Sequence, residues 1–431
     1  MLGENFATYC DQIKVNTLDE INTTIGEIAK KLNTEYYDIE CDKTANMYIV
    51  GSLGRGTAIK GSSDVDLIFD LPKEVFDKFD SYDSNGQSAL LQEIKNVLEA
   101  RYPKTKMRGD GQVVVIEFAR YTVELVPGFK QDDNSFTYPD THDGGKWKKT
   151  DPLSEQEVCI NANEEANGIF YDFCHLIRAW KNHWGFKFGG LLIDTLVYNH
   201  FKANNYYNAA TKEDYIDILK SLFNYFQSQN KEQKYWLAVG SNQYVYNSDN
   251  GKFISKAEAA YKNLSQTTEG ELLDKLVELF GQDFDNQLDV EINSSYKMYN
   301  YRNTEEFIEN LFVVDIQYNL AIDCIVSQNG FRDFLLRRAL LEKHILRHNK
   351  SLKFFIESNE VPMPYNIYWK VRNVGQIAEQ NDQIRGEIKC TNRDYQQERT
   401  SFRGSHFVEC YIVKNQICVA RARIDVPIGD C

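Results

Sequence analysis

The stretch Val50-Gly51-Ser52-Leu53-Gly54-Arg55-Gly56-Thr57-Ala58-Ile59-Lys60-Gly61-Ser62-Ser63-Asp64-Val65-Asp66-Leu67-Ile68-Phe69-Asp70 sets a glycine-rich turn directly ahead of two carboxylates separated by one apolar residue. Glycines let a backbone close on a phosphate, whereas paired carboxylates repel one; a cation reconciles the two. Asp64 to Phe69 alternates and reads as a strand, so Asp64 and Asp66 share one face while Val65 packs inward. With oxygen ligands from carboxylates and substrate phosphates, the ion this pattern suits is Mg²⁺, with Mn²⁺ as the alternative. A third acid on a neighbouring strand would complete a site for two ions about 3.5–4 Å apart, clamping the attacking and leaving oxygens of an in-line phosphoryl displacement. Glu124, in the run Thr122-Val123-Glu124-Leu125-Val126, is the candidate. Gly51, Ser52 and Arg55, with the backbone N–H groups as far as Thr57, would hold a triphosphate tail. The plain alternative is a flexible turn followed by a solvated strand end. It accounts for either feature alone, but not for strand, turn, strand and third acid together.

Outward from this stretch, the 431 residues are enough for two or three domains with real cores. A content of 42% hydrophobic and 26% charged residues is that of ordinary globular proteins. The formal net charge of −14 argues against broad nucleic-acid binding, which needs a basic surface, and leaves room for small anions in a local pocket. The apolar run from Leu311 to Val326 is interrupted by Asp315, Gln317, Asn319 and Asp323, so no membrane span is expected. Met1 to Gln12 lacks the basic and apolar regions of a signal peptide, and nine scattered cysteines form no disulfide framework. A reducing cytoplasm is the expected setting.

Thr17-Leu18-Asp19-Glu20 has the form of a capping box, and Leu18, Ile21, Ile25, Ile28 and Leu32 predict a helix behind it. Met47 to Val50 reads as a short strand, Ser88 to Ala100 as an amphipathic helix, and Val113 to Phe118 with Thr122 to Val126 as a hairpin. The polar segment from Gln131 to Pro152 reads as a long surface loop. From Glu164 to about Phe355 the pattern predicts mostly helix, with turns near Gly185 to Gly190, Asn204 to Asn208 and Ser294 to Arg302; after Pro362 it turns β-rich.

At the opening stretch the chain resembles the polymerase-β-like nucleotidyltransferase superfamily, whose signature is Gly51-Ser52, a spacer, then Asp64-Val65-Asp66. Glu124-Leu125-Val126-Pro127 is similar to the third-acid motif of the branch holding oligoadenylate synthases, cyclic-GMP-AMP synthases and their bacterial relatives, the CD-NTases or SMODS, which make cyclic nucleotide signals for CBASS anti-phage defence. Leu176-Ile177-Arg178-Ala179-Trp180-Lys181-Asn182-His183-Trp184 resembles that branch's helix whose lysine reaches the donor triphosphate; the match falls on Lys181, with Arg178 as a second cation. Tyr138-Pro139-Asp140 to Trp147 and Thr150-Asp151-Pro152 also resemble bacterial members. Where the family has a serine or tyrosine beyond the lysine, this chain has Gly189-Gly190. The tail, through Ile367-Tyr368-Trp369-Lys370-Val371-Arg372, Arg385-Gly386-Glu387-Ile388, Glu398-Arg399-Thr400 and Gly404 to Val413, is similar to the AGS-C domain, a proposed nucleotide-sensing module.

The resemblance implies an α+β protein: a nucleotidyltransferase core with an N-terminal helix over 1–165, a helical lobe over 166–358, and an AGS-C-like β-rich domain over 359–431. It implies a cyclic di- or trinucleotide synthase using ATP and GTP, with cyclic GMP-AMP favoured, pyrophosphate released, two Mg²⁺ ions on Asp64, Asp66 and Glu124, and a downstream effector activated by the product. No strong nucleic-acid or membrane partner is expected. Competing readings are a transferase acting on an RNA or protein end, and a catalytically silent nucleotide-sensing module; the three intact acids count against the latter. In the tail, Trp369, Tyr368 and Tyr411 offer stacking surfaces and Arg372, Arg385 and Arg399 anion partners, against the simpler reading of a packed β-module. Cys390, His406, Cys410 and Cys418 match no zinc-finger spacing, and with hydrophobic neighbours around Cys410 and Cys418 the cysteines read as buried structural thiols.

Overall fold

The computed structural model describes residues 2–15, 18–39, 44–61, 64–118, 121–285, 306–328, 332–342, 344–347, 350–373, 385–400 and 404–429. The chain divides into two units, Met1–Ala179 with Gly189–Thr267, and Trp180–Phe188 with Thr268–Cys431.

The first unit opens with two helices, α1 (Leu2–Ile13) and α2 (Leu18–Tyr37). Ile21, Ile25, Ile28 and Leu32, spaced at three and four, form the buried stripe of α2. Then come β1 (Met47–Ile49), the single turn α3 (Gly51–Gly54), β2 (Asp64–Asp70), α4 (Lys73–Asp80) and α5 (Gly86–Arg101). Five more strands follow: β3 (Lys106–Asp110), β4 (Val113–Glu117), β5 (Thr122–Lys130), β6 (Phe136–Asp140) and β7 (Lys146–Thr150). They pair in the order β1-β2-β5-β4-β3, with β6 and β7 extending from β5. Only β2 and β5 run parallel in this sheet among the described residues.

Alternation divides the faces of that sheet. Val65, Leu67, Phe69, Val114, Ile116, Val123 and Leu125 enter one core with the apolar stripes of α2 and α5. Each such side chain contributes roughly 1.5–3 kcal/mol of burial. The other face carries Asp64, Asp66, Thr122 and Glu124, all half-buried. A slip of one residue would drive the acids into the core, so burial of the aliphatic face sets the register of the acidic one.

The expected loop over 131–152 is instead the β6–β7 hairpin, paired from Phe136↔Thr150 to Asp140↔Lys146. Its strands are amphipathic in a way that lysines disguise. Phe136 is fully buried, Trp147 packs 4.8 Å from Phe76 and 5.6 Å from Phe129, and Lys148 Nζ pairs with buried Asp140 at 2.6 Å. The unit continues through α6 (Pro152–Glu165), α7 (Ile169–Trp184), α8 (Gly190–Ala203), α9 (Tyr215–Gln227), the hairpin β8 (Tyr235–Leu237) and β9 (Tyr244–Tyr246), and α10 (Lys252–Ser265). Asp151 caps α6 by accepting the Ser154 N–H at 3.2 Å, with Pro152 in the first turn.

In the second unit the helical expectation holds through α11 (Leu272–Phe280) and then gives way to strands at β10 (Val313–Val314). The expected turn over 294–302 lies outside the described residues. Next are β11 (Leu320–Ser327), β12 (Phe334–Leu335), β13 (Ser351–Asn359), β14 (Asn366–Arg372), β15 (Ile388–Cys390), β16 (Tyr395–Arg399), β17 (Gly404–Lys414) and β18 (Ile417–Ile428). They form two sheets, β10-β18-β17-β14-β15 and β12-β11-β13-β16. Ile322, Cys324, Val326 and Phe354 of one meet Trp369, Val408, Ile412 and Ile424 of the other in a shared core. β8, β9, β10, β12 and the start of β13 also fall where helix was expected, and the longest strand wholly inside that stretch is β11. Its buried Asp323 breaks the apolar alternation, yet its Oδ1 accepts the N–H groups of Cys324 at 2.7 Å and Arg337 at 3.1 Å.

Two tail expectations change with this core. Trp369 is 2% exposed and donates to the Arg393 carbonyl, and Tyr411 is 1% exposed and donates to Glu409, so both are packing residues rather than stacking surfaces. Arg385 is spent on Glu398, and Arg372 donates to the Arg385 carbonyl. Cys410 and Cys418 are buried thiols as read, whereas Cys390 is exposed. Among the described residues no helix is long and apolar enough to cross a membrane.

Candidate active site

The parallel register sets Asp66 opposite Glu124 and Asp64 opposite Thr122. Adjacent strands lie about 4.8 Å apart, so the three acids occupy one corner of the open sheet face. The glycine turn roofs that corner. Val50 donates its N–H to the Asp66 carbonyl at 2.9 Å, and the next residue, Gly51, turns at φ +64°. A Cβ at Gly51 would lie 2.6 Å from Cγ and 2.9 Å from Cβ of Asp66, so only glycine lets the turn pass so close to the carboxylate.

Burial, then the charges of Asp66 and Asp110, push the Glu124 carboxyl above its ordinary value, with Arg108 opposing. Such a like-charge cluster is relieved by a divalent ion. Carboxylate oxygens are the hard donors that Mg²⁺ or Mn²⁺ takes, so the residue types suit the ion expected of them. Among the described residues no three His, Cys, Asp or Glu side chains are drawn together closely enough to hold a metal. The acids are neighbours by strand register and do not form a closed coordination shell.

The turn itself is one helical turn closed by its own backbone. Gly54 and Arg55 donate to the carbonyls of Val50 and Gly51 at 3.0 and 3.1 Å, and Thr57 and Ala58 both donate to that of Ser52, at 2.9 and 3.1 Å. In so short a turn the N–H groups of Gly51, Ser52 and Leu53 have no helical acceptor behind them. Ser52, in the middle of this turn, is half-buried.

Of the three cations expected at the triphosphate, Arg55 and Arg178 are engaged inside the first unit, and Lys181 belongs to the second. Arg55 turns back into the first unit, its Nε 2.9 Å from Asp194 Oδ2 and its Nη1 3.0 Å from Glu155 Oε2. Arg178 forks onto the same Asp194 at 2.6 and 2.9 Å and donates to the carbonyls of Gly190 and Cys174 at 3.0 and 3.2 Å. With all these donors engaged by buried acceptors, neither guanidinium is offered to a phosphate. The Gly189-Gly190 pair belongs to the same arrangement. Lys181 belongs to the second unit, where its Nζ donates to the Ile316 carbonyl at 2.8 Å and lies 3.8 Å from Asp315.

Asp194 and Glu155 are the residues that reading the sequence missed. A signal was present: Asp194 is the lone charge in Leu191-Leu192-Ile193-Asp194-Thr195-Leu196-Val197, and an acid inside so apolar a run implies a buried cation.

Residues 1–163 match the family model for the Second Messenger Oligonucleotide or Dinucleotide Synthetase domain, SMODS, and residues 302–429 match the Adenylyl/Guanylyl and SMODS C-terminal sensor domain, AGS_C. A probable cyclic nucleotide synthase of Bacillus cereus strain VD146 is 25% identical over 146 residues, 32% of this chain; the match spans 43% of that relative's length. Among solved structures, the CdnC:HORMA-deltaN complex of Escherichia coli MS115-1 superposes with a TM-score of 0.49 at 14% identity, covering 65% of this chain and 97% of the other. The Bradyrhizobium diazoefficiens CD-NTase CdnG in complex with GTP gives 0.49 at 11% identity, with 66% and 97% covered.

Proposed function

From the premise that this chain carries a SMODS domain followed by an AGS_C domain, we propose that it is a nucleotidyltransferase that joins nucleoside triphosphates into a cyclic oligonucleotide. The observation that supports this most directly is the Asp66–Glu124 register beneath the glycine turn. Asp64, Asp66 and Glu124 would hold Mg²⁺ or Mn²⁺, which when bound neutralises a triphosphate and makes a ribose hydroxyl more acidic. The Ser52 hydroxyl and the turn's amides orient the donor's phosphates. Glu124 takes the proton of the attacking ribose hydroxyl. The oxygen so exposed bonds to the donor α-phosphorus, the bond to the bridging oxygen breaks, and pyrophosphate leaves; a second transfer closes the ring.

ATP and GTP are the substrates and cyclic GMP-AMP the product that best fit this reading, with a downstream effector answering the product in anti-phage defence. This finer part rests on the family resemblance.

Purified protein incubated with all four triphosphates and Mg²⁺ or Mn²⁺ should give a nuclease-resistant cyclic product in the mass spectrum. Asp64→Ala with Asp66→Ala should leave the circular dichroism unchanged and bring product below detection. Cyclic product from that double variant would refute the assignment. An extended RNA or a labelled protein as the sole product would favour a transferase acting on macromolecular ends.

A further inference from the structure

We infer that Asp194 is the positioning residue of the glycine turn, holding it in its anion-binding shape before any nucleotide arrives. The inference rests on the proposed transferase reading and adds a residue to its machinery. Asp194 is fully buried on α8 and gathers four bonds. Two come from the turn itself, Arg55 Nε and Thr57 Oγ1, each 2.9 Å from Oδ2. The other two come from Arg178 on α7, at 2.6 and 2.9 Å. Glu155 on α6 supplies the second carboxylate, accepting from Arg55 at 3.0 Å and from Ser241 at 2.9 Å. Two guanidiniums thus face two carboxylates in a buried, balanced cluster, the arrangement in which such charges are tolerated.

The cluster acts on the turn through a short chain of contacts. Asp194 holds Thr57; the Thr57 N–H holds the Ser52 carbonyl at 2.9 Å; Ser52 follows Gly51, which lies against Asp66. Two further ties meet the same turn. His175 on α7 bonds the Gly56 carbonyl through Nε2 at 3.1 Å, and Gly56 turns so close to Tyr171 that a Cβ would meet its ring at 2.8 Å. Three helices therefore grip the back of the turn while its front faces the acids. A loop already ordered in its binding shape spares the ligand the cost of ordering it.

Asp194→Asn would leave two buried guanidiniums with one carboxylate and is expected to unfold, so Thr57 carries the test. Thr57→Val removes the hydroxyl and keeps every ion pair; Thr57→Ser restores the hydroxyl. The probe is a non-hydrolysable ATP analogue with Mg²⁺, titrated by calorimetry into the full chain. Thr57→Val should stay folded, weaken analogue binding about tenfold, as expected for one lost buried hydrogen bond, and raise KM more than it lowers kcat. Thr57→Ser should recover most of the affinity. Independently of any nucleotide, amide exchange at residues 55–58 should quicken about tenfold in Thr57→Val and return in Thr57→Ser. Wild-type binding with an equally tight Thr57→Val, unchanged exchange, or a serine variant that rescues nothing would each overturn the positioning role alone. A wild-type chain that binds no analogue overturns the transferase reading and the inference with it.

Discussion

At Gly51 a backbone of φ +64° passes directly over the Asp66 carboxylate. Alanine there would carry the strain of a left-handed backbone, about 1–2 kcal/mol, and would also push its methyl into Asp66. Gly51→Ala should therefore displace an acid as well as a turn, lowering the melting temperature by a few degrees and abolishing cyclic product. A variant that melts lower yet keeps wild-type turnover would show that the close approach serves folding alone. The acids were legible in the sequence because strand periodicity is local: Asp64 and Asp66 share a face whatever the rest of the chain does. Arg55 and Arg178 were not, because what engages them is remote, with Asp194 lying 139 residues beyond Arg55 and 16 beyond Arg178. A positive charge in a glycine loop has the same appearance on paper whether it faces a ligand or an internal acid.

Among elements, the clearest consequences lie in α7, whose final turn belongs to the second unit. There Asn182 donates to the Val314 carbonyl and accepts the Ile316 N–H, both at 3.2 Å, while Trp184 donates to the Leu279 carbonyl at 3.2 Å. Asn182→Leu should remove both Asn182 bonds and leave two backbone groups unpaired. The expected cost is about 2–4 kcal/mol to the second unit, read as a lower urea midpoint by tryptophan fluorescence; an unchanged midpoint would mean that the two bonds are idle. Elements with clean periodicity, such as α2, α5 and β2, could be placed from sequence to within a few residues. The three-residue β8 and β9 were too short to show a period, and two longer elements that failed carried charge inside a pattern: β7 with its lysines, and β11 with a buried Asp323 satisfied by main-chain N–H groups. A period of two survives such a residue only when its partners are known, and the chain order does not supply them.

For the molecule as a whole, acid is the informative stress. Burial holds His175 and His200 in the first unit, and His183 in the second, neutral, with values pushed down to about 4. An unfolded chain takes those protons near pH 6.5, so stability is complete above that point and falls as pH drops toward 4. Asp194 and Glu409, which burial alone would raise, are held down at about 2 by Arg178 and Arg55 and by Arg421 and Lys370 respectively. Their contribution is present above the ordinary carboxylate range and is lost as pH falls from about 4 toward 2. Calorimetry should show a melting temperature level above pH 7, declining from 6.5 toward 4 as the histidines take protons and falling further below 4 as the two carboxylates do; a flat profile from 7 to 4 would contradict the buried histidines. Composition and motif order made the sequence of parts readable, from mixed core through helices to a sheet-rich tail. They did not reveal that α7 changes membership at Trp180. That change of membership bears on any exchange of parts between proteins of this architecture. A tail cut at a loop and grafted elsewhere would arrive without residues 180–188, and a foreign tail would offer Lys181, Asn182 and Trp184 no seats. Recombination should succeed only where the joint lies within the helix and the incoming tail brings its own final turn.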